Sequence, residues 1–257
     1  MTSIERATAL RELHRAPEIL RMVNVWDAIS ARVIDQLPET RAIATAGHGI
    51  AASHGYPDGE QIPVELMLAA TERIVTASTH PVTADLDAGF GDAAETVRRA
   101  IGVGVVGANI EDRLAPLAEQ VARYEAVIAA AEAEGVPFVL NARTDAFVRG
   151  GDRPLAANIA DAIERGRAYL QAGAETVFVP GILDRDTTEQ LVAGIGDRKI
   201  SVIGLPGALT AAEYEALGVA RITYGPMPQN VALTALKRLS ASLHADGEIP
   251  ADTERLN

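Results

Sequence analysis

The chain has 257 residues, 48% of them hydrophobic, with 35 Asp and Glu against 23 Lys and Arg and a formal net charge of −12. That much apolar material can bury one large core, while so acidic a surface repels phosphate backbones and anionic membranes, so neither nucleic acid nor membrane is an expected partner. With no cysteine, disulfides, thiolate metal sites and a cysteine nucleophile are excluded, and a reducing, cytoplasmic location is expected.

The N-terminal stretch MTSIERATALRELHR carries charge at helical spacing and lacks an apolar signal core. No uninterrupted apolar run is long enough to span a membrane. ILRMVNV (19–25) and AIATAG (42–47) read as the first two strands. Residues 63–77 read as a helix with Pro63 at its first helical position and Met67 and Ile74 on one face. PVTADLD (81–87) is the third strand, and a helix opens near Asp92. VVGANIED (105–112) is the fourth; a helix over 117–134 then spaces Leu117, Val121, Tyr124 and Ile128 by three and four, with Gly135 as its stop. FVLNARTD (138–145) is the fifth, followed by a helix over 155–172 with Leu155, Ile159, Ile163 and Leu170 on its apolar face and Gly173 beyond it. TVFVPG (176–181), ISVIGLPG (200–207) and RITYGP (221–226) complete the series. Near-continuous apolar runs are the mark of parallel strands covered on both faces. Eight of them alternating with helices predict an α/β fold, a (β/α)8 barrel, in a single domain over residues 1–257.

In such barrels the active site forms at the C-terminal ends of the strands. Polar residues gather there: Asn24, Trp26 and Asp27 after the first strand, Gly47 and His48 after the second, Asp85 and Asp87 at the third. Glu111 and Asp112 close the fourth, and Asn141, Arg143, Thr144 and Asp145 close the fifth. The strand starts carry little chemistry, an asymmetry that points to an enzyme.

Alternation along a strand places Asp85 and Asp87 on one face, toward the mouth. Two carboxylates so close repel unless one is protonated or a cation lies between them. With Glu111 one strand away, the donors are all oxygen, which suits Mg²⁺ first and Mn²⁺ second. The structural alternative is that Asp85 and Asp87 cap the helix beginning near Asp92, and Gly89 and Gly91 read as turn residues. Arg143 is either a guanidinium fork for a substrate carboxylate or oxyanion, or an ion-pair partner of Asp145 or Glu111. Backbone amides near Ala46 and Gly47 could hold an anion. His48 and His54 read as loop histidines, and Trp26 as packing or a substrate contact.

TAGHGIAASHGYPDGE, ADLDAGFGD, NIED and NARTDAF, in this order along the chain, resemble the phosphoenolpyruvate mutase/isocitrate lyase superfamily. The resemblance implies a barrel whose last helix is exchanged between subunits of a homodimer or homotetramer. By similarity, Asp85 and Asp87 hold Mg²⁺ directly or through water, with Asp58 and Glu111 in its outer shell. Arg143 matches the arginine that contacts the 2-oxo acid or its enolate. Ala46 and Gly47 stand where the family usually has Ser-Gly, whose amides bind the substrate carboxylate, and Trp26 and Asp27 lie in the first-strand element. The absence of cysteine argues against the isocitrate and methylisocitrate lyase activities, which use a cysteine acid. The loop after the fourth strand is short, with Arg113 as its only strong polar candidate, and Ala46 removes one hydroxyl from the carboxylate pocket.

The expected activity is therefore a Mg²⁺-dependent lyase or decarboxylase acting on a small 2-oxo or 2-hydroxy carboxylic acid through an enolate, with Arg143 and Glu111 as catalytic groups. The alternatives are phosphonopyruvate hydrolase or mutase chemistry and a catalytically silent carboxylate-binding barrel. Water, Arg113, His48 or a group from another subunit could supply the proton.

Overall fold

The structure, a computed structural model, describes residues 1–245 and 247–256. All eight expected strands form, each shorter than its apolar run. They are β1 (Leu20–Met22) and β2 (Asn24–Val25), β3 (Ile43–Thr45), β4 (Val82–Asp85), β5 (Gly107–Glu111), β6 (Val139–Arg143), β7 (Thr176–Phe178), β8 (Ile200–Ile203) and β9 (Arg221–Thr223). The first run is split at Val23 into β1 and β2. Every pairing is parallel, in the order β1-β9-β8-β7-β6-β5-β4-β3-β2. One half of the split strand pairs with β9 and the other with β3, so together they close the barrel. Asn24 staples this break: its Oδ1 accepts the Tyr224 and Gly225 amides at 2.7 and 2.9 Å, and its Nδ2 donates to the Thr45 carbonyl at 3.1 Å.

The helices are α1 (Ser3–Arg15), α2 (Ala28–Asp35), α3 (Gly47–Ser53), α4 (Val64–Ala77), α5 (Ala93–Gly102), α6 (Leu117–Ala133), α7 (Leu155–Gln171), α8 (Arg185–Ile195), α9 (Ala211–Ala216) and α10 (Met227–Ala245). Among the described residues none is long and apolar enough to cross a membrane. Helix α1 opens with a reciprocal cap between Thr2 and Glu5 and closes the floor of the barrel. Its Leu10 packs at Gly107 where β5 begins, its Arg11 donates to the Phe138 carbonyl before β6, and its Arg15 pairs with Glu175 before β7 at 2.7 Å.

Two expectations about helices are corrected. Pro63 has extended backbone (ψ 135) and is the residue before α4 rather than its first turn. Leu155 is 54% exposed, because it begins α7 ahead of the stretch that lies on the barrel; Ile159 is buried as expected. Tyr124 of α6 is fully buried and meets the Tyr169 ring edge-on at 4.7 Å, a contact worth about 1 kcal/mol beyond area burial. Its hydroxyl donates to the Ile110 carbonyl at 2.7 Å. This pairing fixes the ends of β5 and β6 against the outer helices.

Candidate metal and substrate site at the barrel mouth

Strand β4 ends at Asp85, and the chain then turns. Asp87 has φ 48, Gly89 φ 93 and Phe90 φ 51. Asp87 thus reaches the mouth by a left-handed turn, not by strand alternation, which corrects the geometric argument for its direction. Gly89 is required here twice over, since its φ is positive and a Cβ would overlap Ala93. The cap of α5 is Asp92, which accepts the Glu95 amide at 3.0 Å. Asp85 and Asp87 are therefore not used as caps.

Both carboxylates are poorly compensated. Asp85 Oδ2 receives only the Gly47 amide, at 3.3 Å, and the Asp87 carboxylate accepts no hydrogen bond from the described residues. Burial raises Asp85 to about 6, against the opposing pull of Arg143. Burial, then repulsion from Asp85, Glu111, Asp58 and Glu60, raises Asp87 to about 8. Gly47 permits the approach of α3 to Asp85, because a Cβ there would stand 3.2 Å from Oδ2.

Glu111 lies one strand away, with each oxygen engaged by a different arginine. Oε1 accepts from Arg113 Nε at 2.9 Å, and Oε2 pairs with Arg143 Nη1 at 3.0 Å. Arg143 Nε binds Asp145 Oδ1 at 2.7 Å, so both ion pairs that the sequence offers for this arginine are made. They hold the guanidinium with its central carbon over the Phe178 ring, 6.0 Å from the centroid. Arg113, in a left-handed turn (φ 48), also reaches Glu60 Oε2 at 3.2 Å. The other oxygen of Glu60 accepts the amides of Ala88 and Phe90 at 3.0 and 2.6 Å. Glu60 thus pins the loop that carries Asp87. It lies within the YPDGE motif, but no spacing rule links it to that loop.

The remaining expected residues divide. Ala46 is buried and its amide donates to Val25 at 2.8 Å, so of the two expected amides only that of Gly47 faces the cluster. His48 lies on α3 and His54 caps its end, rather than in a loop; His48 Nδ1 is 3.4 Å from Asp58 Oδ2, both exposed. Trp26 packs against the apolar cluster of Ile50 and Met67. The Asp27 carboxylate accepts the Ser30 amide at 2.7 Å as the cap of α2, and no contact ties it to Asp85 or Asp87.

The donor set fits a hard divalent cation. Asp85 and Asp87 offer only oxygen and have no cation within salt-bridge reach among the described residues. No three His, Asp or Glu side chains there enclose an ion by themselves. Mg²⁺ does not need that, because it retains several waters and takes one or two carboxylates.

Beneath this layer lies a polar belt without an assigned role in the sequence. Asn109, Asn141, Thr176, Ser201 and Arg221 are all buried. Asn109, Asn141 and Ser201 interrupt apolar strands, and Thr176 and Arg221 open theirs, the one signal that marks them.

The family model for phosphoenolpyruvate phosphomutase matches residues 10–244. The 2,3-dimethylmalate lyase of Eubacterium barkeri is 31% identical over 93% of this chain and 86% of its own. An oxaloacetate decarboxylase of Rhodopseudomonas palustris (strain HaA2) is 30% identical over 96% of this chain and 87% of its own. The crystal structure of phosphoenolpyruvate phosphomutase from Streptomyces platensis subsp. rosaceus superposes with a TM-score of 0.84 at 25% identity, covering 97% of this chain and 92% of that one.

Proposed function

The chain belongs to the phosphoenolpyruvate mutase/isocitrate lyase superfamily, and from that premise we propose that it is a carbon–carbon lyase or decarboxylase of small 2-oxo or 2-hydroxy acids, working through an enolate. The observation that carries this reading is the pair of uncompensated carboxylates, Asp85 and Asp87, beside an arginine held in place by Glu111 and Asp145. Asp85 and Asp87 would hold Mg²⁺ or Mn²⁺, with Asp58 and Glu111 farther out. Bound there, the cation supplies positive charge to the substrate carboxylate and its neighbouring oxygen.

The chain's own groups do the rest. Arg143 has its Nε and Nη1 anchored, so its remaining edge is directed without further ordering cost at a carboxylate or at the developing enolate oxygen. Glu111 orients Arg143 and Arg113 and, with both oxygens engaged, is not a free base. The Gly47 amide, which donates to Asp85 Oδ2 at 3.3 Å, would be released to the far end of the anion once Asp85 holds the cation, with Trp26 and Ala46 as the wall. Burial tends to lower the pKa of Arg113, but Glu111 and Glu60 outweigh it and raise the value. Arg113 is therefore a poor proton donor, which leaves water, His48 or a group from another subunit for protonation at C3. Helix α10 exposes Val231, Leu233 and Leu236 at 66, 53 and 58%, and a second copy of the chain covers them in the homodimer or homotetramer that the family relationship supports.

A panel of oxaloacetate, substituted malates and phosphonopyruvate, with Mg²⁺ and with a chelator, tests the reading. Chelator-sensitive release of pyruvate or a substituted 2-oxo acid from the first two groups is expected. A phosphorus NMR change with phosphonopyruvate alone would replace it by C–P chemistry, and metal-dependent oxalate binding with no turnover of any compound would replace it by a silent barrel.

A further inference from the structure

The polar belt has a direction, and one residue sets it. Arg221 is 1% exposed and a guanidinium can only donate hydrogen bonds. Its Nη2 donates to Asn109 Oδ1 at 3.2 Å. Asn141 Nδ2 donates to the same oxygen at 2.7 Å and to Ser201 Oγ at 3.2 Å, and Asn141 Oδ1 accepts from Thr176 at 2.7 Å. With Arg221 in place, the Asn109 oxygen must face inward, so its amide nitrogen faces the other way.

That nitrogen donates to none of the described residues, yet it is not sealed off, and Asn109 keeps 7% exposure. The floor below is closed by Leu10 against Gly107, so the opening is toward the mouth. Asn109 pairs with Asp85 in register and stands two residues before Glu111. We propose that Asn109 Nδ2 is a substrate-contacting donor on the floor of the site, taking a carboxylate or enolate oxygen of the bound acid, and that Arg221 is the positioning residue that fixes its direction. The proposal rests on the functional reading above. It also accounts for a buried guanidinium with, among the described residues, its Nε and Nη1 unpartnered and no carboxylate within salt-bridge distance, an arrangement that costs stability and is explained by its orienting the donor.

The test is calorimetric binding of oxalate in the presence of Mg²⁺, with Mg²⁺ binding measured separately. Asn109→Asp keeps the acceptor for Arg221 but presents no donor, and Asn109→Ala removes the donor without adding charge. Both are expected to bind Mg²⁺ and to lose oxalate affinity about tenfold or more. Arg221→Met should lose affinity as well, and Arg221→Lys, which still can only donate, should recover it. Wild-type affinity in Asn109→Ala, or a loss confined to Asn109→Asp, overturns the proposal while the functional reading stands. Failure of the wild type to bind oxalate with Mg²⁺ overturns both.

Discussion

Two pairs of acids stand at neighbouring strand ends and are treated in opposite ways. Asp112 is saturated: Oδ1 accepts the Leu114 and Asp145 amides, each at 2.9 Å, and Oδ2 accepts the Tyr169 hydroxyl at 2.7 Å and Arg165 at 3.2 Å. Asp145 is held between Arg143 and Arg149 at 2.7 and 2.9 Å. The Asp85 and Asp87 carboxylates, by contrast, accept between them one long hydrogen bond, from the Gly47 amide, and pair with no cation among the described residues. The same residue type therefore serves as mortar after β5 and β6 and as an open site after β4. A half-buried anion without partners costs free energy, so the open pair is the place to look for function.

Removing an acid from each pair separates the two roles. Asp87→Ala should reduce turnover by about a thousandfold or more, equivalent to about 4 kcal/mol in the barrier, while the melting temperature of the metal-free protein holds or rises. Turnover near wild type would remove Asp87 from the site. Asp112→Ala should cost about 2–3 kcal/mol of stability, because the Leu114 and Asp145 amides and the Tyr169 hydroxyl lose their acceptor while Arg165 keeps Asp161 at 2.7 Å, and denaturant unfolding reads this directly. A loss below about 1 kcal/mol would show that the saturated network is dispensable.

The comparison also has a pH signature. Asp85 and Asp87 are raised to about 6 and about 8, above their unfolded values, so between about pH 4 and 8 the folded state binds more protons than the unfolded state. Their contribution to stability is present at low pH and is lost as pH rises through those values. The melting temperature of the metal-free protein should therefore carry a component that falls between pH 5 and 8, and saturating Mg²⁺ should remove it. The same melts on Asp85→Asn/Asp87→Asn should lack that component; its persistence would place the slope elsewhere.

The sequence showed the barrel because parallel strands buried on both faces must be apolar almost throughout, and the polar residues at their ends located the mouth. It did not show how Asp87 gets there, since a left-handed residue after a strand end looks the same in one-letter code as one more step of the strand. Nor did it show Glu60 and Arg113 as partners, because their pairing joins two loops about 50 residues apart. Asn109, Asn141 and Arg221 were visible only as polar letters in apolar runs. What they do depends on donor and acceptor geometry across five strands, which no local pattern encodes.

Titration of the metal-free protein with Mg²⁺ at pH 8, followed calorimetrically alongside Asp85→Ala, is the most direct check. One ion bound per chain in the wild type and none in the variant is the expected result. Heat indistinguishable from dilution in the wild type, or equal binding in both proteins, would contradict the assignment of Asp85 and Asp87 as a cation site.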